Sequence, residues 1–279
     1  MTQFSHSKLS TFEQCKLKYK LKYIDKIKPV IEKTIESHLG TCVHDTLEWI
    51  YINIKNNNLP TIDQTIIHYA EKWQKDFSPD ILIVKSHLTE KDYFNKGIQF
   101  ILDYYKRNHP FEENTLELEK RILIKIGKNQ EHRIIGFIDR LVYNLKTKEY
   151  EIHDYKTSGT LPSQEKIDKD RQLALYSIAI KEEFGQEKEV SLIWHYLNFD
   201  KKIYSKRTNQ QLQELKEETI KLINHIQSTT EFPQNKSVLC DWCEFKIMCP
   251  AWTSKPLKES NDSQSNLDKF PTIKKYLKD

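Results

Sequence analysis

A carboxylate sits where a buried strand would ordinarily be apolar throughout. Residues 134–142 read IIGFIDRLV, a β-branched and aromatic run with the pattern of a strand. An unpaired carboxylate at Asp139 would be costly to desolvate there, so the fold has to bring it a cation or hydrogen-bond donors. Residues 149–157, EYEIHDYKT, form a second strand-like run closed by Ser158 and Gly159. Side chains alternate along a strand, so Asp154 and Lys156 share a face. The two runs are close enough in sequence to be neighbours in one sheet, and the chain must then fold around two acids and an amine held at strand ends.

The rest of the chain divides in two. Apolar residues at helical spacing predict helices over 7–26, 37–55, 61–77 and 90–107. Strands follow at 116–126 and 133–143, joined by a turn at Gly127, and then the 149–157 strand. A helix over 164–183, strands at 190–198 and 202–206, and a helix over 209–227 complete the pattern. After Phe232 and Pro233 comes a cysteine-rich turn, and a polar tail expected to be mobile runs over 254–279. Helices first and a mixed β-α-β core second give an α/β fold. Its mixed β-sheet core is flanked by helices, with an N-terminal helical region and a C-terminal cysteine-rich cap.

Composition narrows the functional classes. The 44 basic and 40 acidic residues leave a net charge of +4, which permits a nucleic-acid partner without demanding one. No apolar run approaches a membrane span and the polar start is no signal peptide, so a soluble, cytoplasmic protein is expected, with no membrane partner. The chain has no phosphate-cradling G-x-x-x-x-G-K-(S/T) loop and hence no sign of an ATP motor.

Divalent magnesium and manganese prefer oxygen ligands, which Asp139 and Asp154 supply and to which His44 adds an imidazole. Lys156 is placed to orient a water or to stabilise charge on a phosphate. That set is the pattern of a metal-dependent phosphodiesterase. The bland alternative is a surface ion pair between Asp154 and Lys156 with His44 a satisfied core histidine. Gln172 and Tyr176, four apart on a helix, share a face and could grip a nucleotide, or Tyr176 could be an ordinary buried tyrosine. Of the five cysteines, Cys240, Cys243 and Cys249 cluster and need a fourth ligand, for which Cys15 is the best candidate. Zinc ribbons usually bring two C-x-x-C pairs, so this set fits zinc less well than a cubane iron–sulfur cluster. Cys42 is left over as a small buried hydrophobe.

Taken together, these motifs resemble the RecB-like branch of the PD-(D/E)XK nuclease superfamily, and within it the iron–sulfur exonucleases of CRISPR-associated and AddB-type systems. Ser5 to Cys15 match S-x-S-x-L-x-x-F-x-x-C, and Gly40 to His44 match G-x-x-x-H. Gly136 to Arg140 match G-x-(I/V)-D-R, and Asp154 to Thr157 match D-(Y/F/W)-K-T. Gln172 to Tyr176 match Q-x-x-x-Y, and the closing cysteine trio follows. Lys16 stands where a proline often follows the first cysteine.

The resemblance implies a restriction-endonuclease-like core in a single domain over 1–253, with a helical subdomain at about 45–110. It implies that His44, Asp139, Asp154 and the Tyr155 carbonyl bind Mn²⁺ or Mg²⁺, and that Lys156 is catalytic beside the two aspartates. Gln172 and Tyr176 would face DNA, and Cys15, Cys240, Cys243 and Cys249 would hold a 4Fe–4S cluster. The activity implied is a deoxyribonuclease, an exonuclease on single-stranded DNA or DNA ends, in repair, recombination or CRISPR adaptation. Helicases or CRISPR adaptation proteins would be its partners. The competing class is a non-catalytic nucleic-acid-binding module that partners a helicase.

Overall fold

The computed structural model describes residues 2–29, 31 and 33–253, and the tail expected from residue 254 lies outside these. The chain opens with β1 (Thr2–Ser5), α1 (His6–Gln14) and α2 (Lys16–Tyr19), then three long helices, α3 (Ile35–Lys55), α4 (Ile62–Asp76) and α5 (Glu90–Asn108). The sheet-forming part is β2 (Thr115–Ile126), β3 (His132–Asn144), β4 (Glu149–Lys156), α6 (Gln164–Asp168), α7 (Arg171–Phe184), β5 (Val190–Tyr196), β6 (Lys201–Lys206) and α8 (Asn209–Ser228). Helices α4, α5 and α8 each start on a threonine whose side chain caps the third residue inside, with Gln64, Asp92 and Gln211 closing reciprocal boxes. These caps satisfy amide donors that the first turn leaves without partners.

The six-stranded mixed sheet is organised by β3. β2 pairs antiparallel along nearly its whole length, so β1 and β4 must share the other edge. β1 runs parallel as far as Ser5 opposite Ile135, and β4 runs antiparallel from His153 opposite Arg140. Residues 136–139 therefore have no strand partner on that edge. Beyond His153, β4 leaves β3 and continues only along β5, which pairs with β6. The result is a notch at the centre of the sheet, with Asp139 on one lip and residues 154–156 on the other.

Helices α7, α8 and α1 cover one face, over Ile122, Ile124, Ile134, Ile138, Ile152 and Trp194. Helices α3, α4 and α5 form a second core that reaches the sheet through Leu118, Tyr155 and Leu197. A fully buried aliphatic or aromatic side chain stabilises the fold by about 1.5–3 kcal/mol, so each layer is a substantial core.

Two expected helices are interrupted. The 7–26 helix breaks at Cys15, whose backbone is extended at φ −160°, and a π-helical turn over Lys20–Ile24 replaces its end. The break frees the Leu17 amide to bond the Pro233 carbonyl at 3.2 Å, tying the two ends of the chain together. The 164–183 helix splits at Lys169, because Asp170 accepts from the Gln172 and Leu173 amides and starts α7 as a new helix.

Candidate active site

The notch gathers side chains from β3, β4, α3 and α7. With its strand partner missing, the Tyr155 amide donates to Asp139 Oδ2 at 2.9 Å. From α3, His44 Nε2 donates to the Tyr155 carbonyl at 2.7 Å, which assigns the tautomer. Its Nδ1 lone pair is thereby turned towards Asp139 Oδ2, 3.4 Å away. Gly40 sits against the strand end, where a Cβ would make an ordinary contact with Thr157 Oγ1 at 3.4 Å.

On the other lip, Asp154 and Lys156 share a face as strand geometry requires. Lys156 Nζ lies 2.7 Å from Asp154 Oδ2 and donates to Gln172 Oε1 at 2.9 Å. Gln172 Nε2 donates to Asp154 Oδ1 at 3.1 Å. Asp154 is buried, and apart from the lysine its Oδ2 has no partner among the described residues. Tyr176, expected to face DNA, is 6 % exposed and packs over Gly136, where a Cβ would meet its ring at 2.3 Å. It supports Gln172 from below.

Among the described residues, His44, Glu119 and Asp139 are the group whose ligand atoms all lie within 4.8 Å of one another. Ligands about 2.1 Å from an octahedral ion sit roughly 3–4 Å apart, so small side-chain movements would close this set on a cation. Asp154, held by Gln172 and Lys156, does not join that group. Glu119 was not singled out by sequence because it lies in an ordinary alternating strand. It reaches the notch because its backbone adopts φ +44°, and the ladder skips the Glu119–Asp139 pair between Leu118–Arg140 and Lys120–Ile138. The interruption also reorders the faces. Ile138 packs in the α7-side core, while both Asp139 and Arg140 reach residues of α3.

Electrostatics follow from this crowding. Burial, then the Asp154 carboxylate, push Asp139 up to about 8. Burial and Asp139 push Glu119 up to about 7. Glu48, one turn after His44, adds negative charge to both. Burial works against the charge of Lys156, yet Asp154 holds its ammonium above the usual lysine range. His6, also missed by sequence, feels Lys156 and Asp154; burial and Arg171 lower it to about 4, so it is neutral. An excess of carboxylates around one ammonium is the charge pattern a divalent cation neutralises.

Behind the notch, Arg140 is fully buried. It donates to the Tyr155 hydroxyl at 3.1 Å, Glu113 Oε2 at 2.6 Å and His153 Nδ1 at 2.9 Å. The Tyr155 hydroxyl continues through Tyr104 to Tyr51. This network fixes the residue whose amide and carbonyl face Asp139 and His44.

At the cap, Cys15, Cys240, Cys243 and Cys249 line a single cavity with Lys18 and Lys246. Cys15, Cys243 and Cys249 pack with Leu17, Leu21 and Phe245 in a small core of their own. Among the described residues no three of these sulfurs lie within 4.8 Å of one another. Cys42 is buried in the helical core, and desolvation raises its thiol to about 11.

A family model described as the PD-(D/E)XK nuclease superfamily matches residues 3–250. Among solved structures, the chain is similar to a candidate exonuclease from Eubacterium rectale. The TM-score is 0.51 at 12% identity, covering 93% of this chain and 91% of that one. It is also similar to SSO0001, at a TM-score of 0.33 and 16% identity, over 67% and 81% of the two chains. No curated protein matches the sequence. No helix among the described residues is long and apolar enough to cross a membrane.

Proposed function

The chain belongs to the PD-(D/E)XK nuclease superfamily, and from that premise we propose that it is a metal-dependent DNA exonuclease of the RecB-like branch. Its substrate is single-stranded DNA or DNA ends, and it carries a structural 4Fe–4S cluster. The observation that carries this reading is the notch itself, where His44, Asp139 and the Tyr155 carbonyl converge across from Asp154 and Lys156. His44, Glu119, Asp139 and the Tyr155 carbonyl would hold Mg²⁺ or Mn²⁺, with Asp154 joining them by turning from its Lys156 and Gln172 contacts. Such a cation supplies charge to the non-bridging phosphate oxygens and lowers the pKa of a bound water.

The protein's own groups do the rest. Lys156 stays protonated at neutral pH because Asp154 holds its pKa up. It therefore donates to phosphate oxygens as charge builds on them and does not act as a general base. Gln172 bridges Asp154 and Lys156 and so fixes the ammonium relative to the carboxylate. Tyr176 positions Gln172 and excludes water beneath it. Arg140 and His153 hold β4 from behind.

Three clustered cysteines and one distant partner, lining one cavity, support a cubane cluster over zinc. Held there, a cluster would link Cys15 to the C-terminal turns and restrain nearly the whole chain in the unfolded state. Helicase or CRISPR adaptation partners would follow from the same branch.

Digestion of single-stranded DNA with and without EDTA tests the reading, alongside Lys156→Ala. Parent protein should degrade the strand only with Mg²⁺ or Mn²⁺, and Lys156→Ala should lose about 10²–10³ in rate while still binding DNA. Digestion by Lys156→Ala at the parental rate would remove the assigned chemistry. Metal-independent binding without cleavage by the parent would leave a binding module instead.

A further inference from the structure

The face of β2 and β3 away from α7 is not covered beyond α3 by any of the described residues. Cross-strand pairs on it run Arg121 with Phe137, Leu123 with Ile135, and Lys125 with Arg133. The opposite face of the same strands is buried as Ile122, Ile124, Ile126, Ile134 and Ile138. Phe137 is 51 % exposed and Leu123 40 %, so this face leaves an aromatic ring and an aliphatic side chain in water between cations.

Among the described residues Arg121, Lys125 and Arg133 make no ion pair and no side-chain hydrogen bond, and Arg133 Nε is buried without a partner. By contrast Lys120, on the covered face, bonds both Glu117 and Glu183. The nearest acids lie at the ends of the stripe. Glu119 belongs to the notch, and Glu131 accepts from the Asn129 amide at the hairpin turn.

We propose that this open face is a track for single-stranded nucleic acid leading into the notch, with bases on Phe137 and phosphates on Arg121, Lys125 and Arg133. The proposal rests on the nuclease reading for the identity of the polymer. Three arguments carry it. The stripe is continuous with the site, because Phe137 is two residues from Asp139 on the same strand and Arg133 is about 20 Å away at 3.4 Å per residue. Its charge is complementary to a polyanion and is not spent on internal carboxylates. Its chemistry alternates a ring or aliphatic surface with cations, the combination that binds single strands through stacking and phosphate contacts. A duplex would offer its phosphates but keep its bases stacked inside, leaving Phe137 and Leu123 without a partner. The flat, edge-paired sheet thus favours the single strand.

The test uses full-length protein carrying Lys156→Ala to prevent digestion, with fluorescein-labelled oligothymidylate of roughly 20 nucleotides as probe. Binding is followed by anisotropy across a series of salt concentrations. Combined Arg121→Ala, Lys125→Ala and Arg133→Ala should weaken binding at least tenfold at low salt. It should also make the log–log salt dependence shallower by about 2, at roughly 0.7 per lost single-strand phosphate contact. Phe137→Ala should weaken binding about tenfold with the salt slope unchanged, because stacking releases no counterions. Arg121, Lys125 and Phe137 are exposed and Arg133 is half-buried, so melting temperatures of the variants are read beside binding and should stay within a few degrees of the parent.

With Lys156 restored, the p-nitrophenyl ester of thymidine monophosphate, too small to reach the track, should be hydrolysed equally by parent and track variants. Oligonucleotide binding that survives the triple substitution overturns the track while leaving the nuclease reading intact. Binding that the triple substitution removes, in a parent that hydrolyses neither substrate, overturns the nuclease reading and leaves the track. A parent that does not bind the probe, or variants that lose blunt duplex binding more than single-strand binding, overturns the proposal.

Discussion

Replacing Gly136 with alanine adds one methyl group, and the structure sets what it would meet. The glycine has no positive φ, so alanine suits the backbone and any effect must come from contact. The added Cβ would lie 2.3 Å from Tyr176 Cε1, 2.6 Å from Cζ and 2.7 Å from the hydroxyl. Relief requires the ring to move by about 1 Å, because ordinary carbon contacts begin near 3.5 Å. Tyr176 is buried between β3 and the body of α7 and has no open side to move into. Overpacking of this kind typically costs about 1–3 kcal/mol. For a chain of this size that lowers the melting temperature by roughly 2–4 °C per kcal/mol, so about 5 °C is expected.

The displaced ring also moves Gln172, and with it Lys156 and Asp154, so DNA digestion should fall further than stability does. Calorimetry and a digestion assay read the two effects separately. Adding Tyr176→Leu, which makes room for the methyl, should recover most of the lost melting temperature but not the activity, since the hydroxyl beneath Gln172 is gone. A Gly136→Ala protein that melts and digests like the parent would refute the packing argument and the positioning role of Tyr176 together.

Three other perturbations bear on separate parts of the molecule. Glu119→Gln, which keeps shape and removes charge, should raise the Mn²⁺ concentration for half-maximal digestion by about tenfold; an unchanged metal titration would exclude Glu119 as a ligand. Cys243→Ser should yield colourless protein that melts at least several degrees below the brown parent, as read by visible absorbance, iron content and calorimetry. Stoichiometric zinc in a colourless parent would count against the cluster. His195 is buried, and desolvation, then His153, hold its pKa well below 6.5. The unfolded chain therefore takes up a proton below pH 6.5 that the folded chain refuses, and stability falls as pH falls through that window. His195→Asn should lose about 1.4 kcal/mol less than the parent between pH 7.5 and 5.5, measured by urea denaturation at each pH; parallel losses would mean the histidine titrates freely.

The buried group at Arg140 shows how the two faces of β4 depend on each other. Its guanidinium satisfies the Tyr155 hydroxyl and His153 on the face away from Lys156. Buried polar networks hold geometry when every member is satisfied. The carboxylate beside it at Asp139 is thereby given a fixed amide donor, the Tyr155 N–H.

The sequence by itself determined the local elements and the chemistry they carry. Period-two runs placed β2, β3 and β4 within a residue or two, and alternation put Asp154 and Lys156 together. These depend on near neighbours, which a linear reading contains. The break at Cys15 escaped it because Leu17 answers to a partner far along the chain, Pro233, whereas the Asp170 cap that splits the later helix is local and was overlooked. Only the tertiary structure decided that β1 and β4 share one edge of β3, and that unpaired stretch is what opens the notch. It also buried Tyr176 under Gln172 and turned Glu119 inward through a left-handed residue. Each follows from contacts between segments far apart in the chain, where the balance of burial, hydrogen bonding and close approach is set by the whole fold.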